Sequence, residues 1–222
     1  MSTAPLTEKG QATRRRLLAA ARDRAIATGG HFEIADVGRD AGVVPSLVHR
    51  YFGSKSGLVT ALVDEYFDRF HAEVLDLDLD RRGDWAHHER LRLEAGVHFH
   101  YREPFAVVVY GALARDPEVA RREAERIAKV VERAARSIRK GQKAGELPDD
   151  VDPGLAGAAM FGAMRLVMVE ALTRKNRPPP ERVIDVLWRQ VAASVHIDPE
   201  PPGPKGVTPW RSTSKRGTAS RS

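Results

Sequence analysis

The sequence predicts an all-α protein of about nine helices, with a small N-terminal three-helix unit, a larger helical domain and a disordered C-terminal tail. Three observations predict it. Apolar residues recur at three- and four-residue spacing through most of the chain, the period of a helix with one buried face. Helix starts stand out as a capping acid followed by proline, at Asp116-Pro117-Glu118 and Asp152-Pro153. The stretches with strand character, Val107 to Val109 and the alternation from Asp76 to Asp84, have no neighbouring strand pattern to pair with.

Taken in order, Glu8 to Thr28 forms a first helix, with Leu17, Leu18, Ala21, Ala25 and Ile26 inward and arginines on the other face. Gly29-Gly30 ends it. A short helix from Ile34 to Ala41 turns Ile34, Val37 and Ala41 inward, and Gly42 supplies the turn after it. Pro45 suits the first turn of the next helix, which runs to Phe52 and buries Val48 and Phe52. Ser54 caps a longer helix that starts at Lys55, with Val59, Val63, Phe67, Phe70 and Val74 as its apolar row. The acidic stretch after it reads as a loop. Asp84 caps a helix to Arg102, and Phe105 to Ala114 forms another. The helix after Asp116 reaches Lys143, with Ala120, Ala124, Ile127, Val131, Ala134 and Ile138 as its seam. The helix after Asp152 is rich in small residues, Pro178-Pro179-Pro180 breaks it off, and a last helix runs from Glu181 to Val195. Residues 198–222 turn to Pro, Gly, Ser and basic residues, a composition that does not order itself.

Composition narrows the function classes. A hydrophobic share of 42% in 222 residues supports a real core and argues against wholesale disorder. Absence of cysteine excludes disulfides, thiolate metal sites and thiol catalysis. The N-terminus lacks the apolar core of a signal peptide, and no unbroken apolar run reaches about 18 residues. A cytoplasmic protein without a membrane partner is therefore expected. The net charge of +6 attracts polyanions, nucleic acid first. Its distribution sharpens this: Arg14, Arg15 and Arg16 crowd the first helix.

The stretch from Asp36 to Lys55 carries the chemistry. Two short helices around a glycine turn form a helix-turn-helix, which sets its second helix in the major groove, where base edges are distinguishable. Ser46, His49, Arg50 and Lys55 are left to point outward, with Tyr51 at the border. Ser46 and His49 can donate or accept hydrogen bonds. Leu47 suits a thymine methyl, and Arg39 and Arg50 flank the unit within reach of phosphates. In these residues the chain resembles the tetracycline-repressor (TetR) family of bacterial transcriptional regulators, whose pattern reads IA-x-x-AGVS-x-G-T-L-Y-x-Y-F-x-x-K. Val37, Gly38, Ala41, Gly42, Val43, Ser46, Val48, Tyr51, Phe52 and Lys55 stand at its positions, and the likeness spans roughly residues 10–65. The resemblance implies DNA contacts by Pro45, Ser46, Leu47, His49 and Tyr51, and a phosphate contact by Lys55. There are departures. Glu33 stands where the family has a phosphate-touching Thr, Val44 where a Ser caps the recognition helix, and His49 where Tyr is common; the loop from Gly29 to Glu33 is shorter by about a residue.

Downstream, aromatic and flexible apolar residues supply the surface a small-molecule pocket needs. The candidates are Phe67, Phe70, His71, His98, Phe99 and Tyr101, with Phe105, Tyr110, Met164 and Met168. Arg165 lies inside the apolar run FGAMRLVMVE, and a buried arginine there requires an anion: Glu170, an acid from another helix, or a ligand carboxylate or phosphate, unless it snorkels out. Small residues Ala158, Ala159, Gly162 and Ala163, with Leu187, Trp188 and Val191, suit a dimer surface built from the last two helices. The resemblance implies a homodimer through a four-helix bundle at that place. His87, His88, His98 and His100 do not share a spacing that makes metal ligation expected, no cofactor motif is present, and no nucleophile–base arrangement points to catalysis. The expected protein is a homodimeric, ligand-responsive regulator that binds a double-stranded DNA operator, most simply as a repressor released by an apolar or amphipathic small-molecule effector. Residues 1–54 would be its DNA-binding domain and 55–197 its ligand-binding and dimerisation domain. A ligand-independent architectural DNA-binding protein and a helical lipid-type carrier are the competing readings.

Overall fold

In a computed structural model, residues 7–77, 83–113 and 117–199 are described, and among them the regular structure is entirely helical. The helices are α1 (Glu8–Ala27), α2 (Ile34–Asp40), α3 (Pro45–Phe52), α4 (Lys55–Phe70), α5 (Trp85–Arg102), α6 (Phe105–Tyr110), α7 (Pro117–Lys143), α8 (Pro153–Thr173) and α9 (Pro180–Ser194). α4 continues into a π-helical turn, His71–Leu75. The expected caps are in place. Ser54 accepts from the Gly57 N–H at 3.0 Å, Asp84 from His87 at 2.8 Å and Asp152 from Leu155 at 2.8 Å. Each satisfies one of the donors that a helix start leaves unpaired. Asp116 and most of the acidic stretch, residues 78–82, lie outside the described residues. So does nearly all of the expected tail. Its first residues are held, because Trp188 Nε1 donates to the Pro199 carbonyl at 2.8 Å.

Helices α1, α2 and α3 form the N-terminal unit. Leu17, Ala21, Ala25, Val37 and Val48 are fully buried in it. Ile26, expected inside, is exposed. A bidentate ion pair from Arg24 to Asp40, at 2.8 and 2.7 Å, joins α1 to the end of α2. Hydrogen bonding to Arg24 holds the Asp40 carboxyl below the usual carboxylate range.

α4 belongs to both parts. Its Leu58, Val59, Leu62 and Val63 are buried, and its far end packs against α5 and α7. A second junction is the loop at Gly30, which meets the end of α6. Gly30 has φ +95°, and a Cβ there would lie 2.7 Å from Ala112 Cβ and 3.2 Å from Val108 Cγ1. Only glycine suits both the backbone and the space.

α7 is rotated from its expected seam. Ala120 and Ala124 are exposed, whereas Val119, Ala135, Ile138 and Gly141 are buried. The rotation brings Glu123 and Arg126 inward, each neutralised by a partner on another helix: Glu123 pairs with Arg165 of α8, and Arg126 Nη2 pairs with Asp64 of α4 at 2.5 Å. α8 is long and apolar enough to cross a membrane by length and composition. Counting unbroken apolar runs misses this, because glycines and Arg165 interrupt the stretch. One face of α8 is buried against α7 and α9, while Leu155 and Leu166 are exposed at 73% and 68%.

Candidate nucleic-acid interface and internal cavity

The turn between α2 and α3 is tight for a local reason. The Val43 N–H donates to the Gly38 carbonyl at 2.8 Å, and a Cβ on Gly38 would sit 2.9 Å from the Val43 oxygen. With Val37 and Val48 locked inside, α3 presents Pro45, Ser46, His49 and Arg50 to solvent and keeps Leu47 and Tyr51 half-buried. His49 Nδ1 is 3.2 Å from the Gly53 carbonyl, within the same helix end. A proton on Nδ1 donated there leaves Nε2 as an outward acceptor. Val44, at the cap position before Pro45, gives α3 no side-chain cap. Among the described residues of α1 to α3 the exposed cations are Lys9, Arg15, Arg16, Arg39 and Arg50, with Arg39 held 3.2 Å from Asp36.

Glu33 behaves differently from its sequence reading. Lys55 Nζ donates to Glu33 Oε1 at 2.9 Å, and both side chains are largely exposed. The carboxylate at the family's Thr position therefore faces a cation across the head, and Lys55 is engaged with protein rather than free for phosphate. An exposed pair of this kind is worth only about 0–1 kcal/mol, so it can open when a phosphate competes.

In the larger domain a cavity of about 140 Å³ lies between α4, its π turn, α5, α7 and α8. Phe67, Phe70, Val74, Ile127 and Met160 give it an apolar wall. Into that wall are set Glu89, Arg92, Glu123, Arg126 and Arg165, with His71, His100 and Tyr110. Arg165 pairs with Glu123, and Arg126 lies 4.4 Å over the Phe67 ring. Burial pushes the Glu89 carboxyl up and the His71 imidazole down. The π turn is tied to α7 by Arg133, which donates to the Leu75 carbonyl and to Asp76.

One buried chain of polar groups leads out of this cavity. Tyr66 of α4 lies 2.5 Å from His100 Nδ1, and Tyr110 of α6 lies 3.2 Å from His100 Nε2. His100 is 1% exposed, and desolvation pushes its pKa down to about 3. Burial raises both phenols as well. All three groups are thus neutral, and a neutral imidazole offers one donor and one acceptor to two hydroxyls that can play either part. Beside this chain, Arg69 of α4 makes a bidentate pair with Glu103, at 3.1 and 2.8 Å, just after α5.

No protein-family model matches the sequence, and no curated protein matches it. Solved structures do. SmeT, the repressor of the Stenotrophomonas maltophilia multidrug efflux pump SmeDEF, superposes with a TM-score of 0.71 at 21% identity, covering 87% of this chain and 96% of its own. A TetR-like transcriptional regulator from Rhodococcus sp. RHA1 gives 0.63 at 18% identity, over 86% and 99%. NalD, the secondary repressor of the MexAB-OprM multidrug efflux pump in Pseudomonas aeruginosa, gives 0.67 at 15% identity, over 85% and 98%. The fold is that of the TetR-family regulators.

Within the TetR fold the sequence-picked residues separate clearly. Phe67, Phe70, His71, Tyr110, Met164 and Arg165 line the cavity. His98 does not: it is exposed, and its neighbour His100, two residues on and turned to the other side of α5, takes the inward place. Phe99, Phe105 and Met168 are core residues, at most 1% exposed, behind the cavity rather than on it. Tyr101 ties α5 to the turn before α9 by donating to the Pro178 carbonyl at 2.8 Å. Arg165 pairs with an acid from another helix, Glu123, while Glu170 pairs with Arg174 at 2.8 Å. Sequence reading missed Glu89, Arg92, Glu123 and Arg126, because nothing in a helical period separates a charge on the surface from one facing a cavity.

The expected dimer residues divide too. Leu187, Trp188 and Val191 are 1%, 6% and 5% exposed and belong to the protomer's own core, packed through α9 on α5 and α8. Ala158 and Ala159 are exposed, Gly162 and Ala163 half-buried. The outward apolar residues on these helices are Leu155, Leu166 and, on α9, Val186 at 51%. α9 has one apolar face, and the protein's own core covers it; its outward positions are mostly charged or polar, Glu181, Arg182, Asp185, Arg189 and Gln190.

Proposed function

We propose that this protein is a homodimeric, ligand-responsive DNA-binding transcriptional regulator, acting as a repressor that leaves its operator when a small molecule occupies the internal cavity. The observation that carries this reading is the continuity of α4: it begins under the recognition helix at Lys55 and ends in the cavity wall at Phe70 and the π turn. A ligand seated against Phe67 and Phe70 acts on the same rod that sets the height and tilt of α3. The Gly30–Ala112 contact gives a second route, since Tyr110 lines the cavity two residues before Ala112. Two heads in a dimer read half-sites one helical turn apart or a multiple of it, so a change in their separation lowers affinity for that spacing. Only a ligand with different affinities for the two arrangements shifts the balance between them.

Dimerisation is supported by the unpartnered face of α8, where Leu155, Ala159, Gly162 and Leu166 recur at four- and three-residue spacing. Leu155 and Leu166 are the bulky members, and a Cβ on Gly162 would meet nothing within 4 Å. A helix of a second copy laid on that face would bury it. The test of the whole reading is an electrophoretic shift with the DNA upstream of the protein's own gene. His49→Ala is expected to lower affinity for the preferred site by about tenfold or more, with little change on unrelated DNA. Arg50→Ala is expected to weaken both and to reduce the salt slope by about 1. Equal affinity for all sequences, at every salt concentration, would show an architectural DNA binder instead.

A further inference from the structure

The cavity wall holds two guanidinium donors that no described residue satisfies. Arg126 Nη1 and Arg92 Nε are buried without a hydrogen-bond partner among the described residues, and both side chains line the same 140 Å³ space. A buried donor left unpaired is costly, more so on a charged group, and a natural structure keeps one where something else completes it. Each arginine has already used its nearest acid. Arg126 Nη2 is on Asp64 at 2.5 Å, and Arg92 Nη1 lies 3.5 Å from Glu89. The third arginine of the wall, Arg165, is matched by Glu123. The three arginines of the wall are thus matched by three acids, Glu89, Asp64 and Glu123, so a ligand is drawn by the open donors and not by an excess of charge. Burial disfavours the ionised forms of Glu89 and Arg126 alike.

Size and shape restrict the occupant further. An apolar cavity of about 150 Å³ accepts a single benzene ring. This one is of that size, with the Phe67 and Phe70 rings and Met164 on its wall. We propose that the ligand is a small organic carboxylate carried on one apolar ring, or on a chain of like bulk, with its carboxylate oxygens received by Arg92 and Arg126. This rests on the cavity being the effector site, and it excludes cations, for which the wall offers two acids already paired with arginines. A carboxylate supplies two acceptor oxygens for the open donors, and its ring is matched by Phe67 and Phe70 of α4 itself.

Benzoate, benzyl alcohol and benzylamine have nearly the same ring and bulk and differ in charge, so together they test the assignment on the full-length wild-type protein. Thermal unfolding in benzoate at a hundred times its Kd is expected to raise Tm by about 5–10 °C, with smaller shifts from the other two at equal concentration. Arg126→Gln is expected to weaken benzoate about 10- to 100-fold while leaving benzyl alcohol unchanged, and Arg92→Gln serves as the second variant should the first not fold. A shift from benzyl alcohol or benzylamine equal to that from benzoate overturns the assignment, as does the absence of a shift with all three. The electrophoretic assay separates the two claims. Benzoate that binds but leaves the DNA complex intact overturns the regulatory reading and keeps the ligand class. Release of DNA by benzyl alcohol and not by benzoate does the reverse.

Discussion

His100 makes stability fall in mild acid, by an amount the structure allows to be worked out. In the unfolded chain its imidazole titrates near 6.5; in the folded protein desolvation holds it at about 3. Between those values the unfolded state binds a proton that the folded state refuses, so stability rises with pH through the window and falls as pH drops. The contribution is fully present above about pH 6.5 and is lost progressively down to about pH 3. Linkage gives at most about 1.4 kcal/mol per pH unit, hence about 2 kcal/mol lost between pH 6.5 and about pH 4.5. His100→Gln keeps hydrogen-bonding groups between Tyr66 and Tyr110 but does not titrate. Its stability at neutral pH should be lower, and its decline toward acid shallower by those 2 kcal/mol. Carboxylates such as Asp40 titrate in both proteins and cancel in the comparison. Urea unfolding of the pair at half-unit pH steps reads this as a midpoint difference that narrows by roughly 1 M. Parallel pH profiles, within about 0.5 kcal/mol of each other, would refute the buried neutral chain.

Further expectations concern the head and the surface. Leu155→Glu with Leu166→Glu places two charges on the open face of α8; sedimentation should show a folded monomer with weakened operator binding, and an unchanged dimer would move the interface elsewhere. Gly30→Val forces a branched side chain into φ +95° and toward Ala112. It should destabilise the protein by about 2–4 kcal/mol in a melting curve, and an unaltered Tm would mean that the head does not rest on α6 in this way. Glu33→Gln releases Lys55 from its 2.9 Å pair. Binding to DNA of any sequence should tighten and the salt slope should steepen by about 1, while stability moves by no more than about 1 kcal/mol.

Gly38, Gly42, Val37 and Val48 take the places in the helix-turn-helix that the sequence pattern assigns them, and the caps Ser54, Asp84 and Asp152 start their helices where expected. These features are local. A cap needs a donor three residues away, and a short amphipathic helix has one apolar side to bury.

The cavity and the outer faces were decided differently. Arg165 found Glu123, 42 residues earlier, and Arg126 found Asp64, 62 residues earlier. Periodicity cannot foresee such pairs, because it treats every charge as a surface group. It also reports which residues share a helix face and not which face is covered. On α5 it put His98 toward the pocket, whereas packing turned His98 outward and drew His100 between two tyrosines. On α9 it left Leu187, Trp188 and Val191 as candidates for a partner subunit until the protomer's own core took them. The sequence by itself determined the helices, their starts and the helix-turn-helix, through interactions within a few residues. Which apolar face lies inside, and which buried donors remain open for a ligand, depended on contacts between helices far apart in the chain.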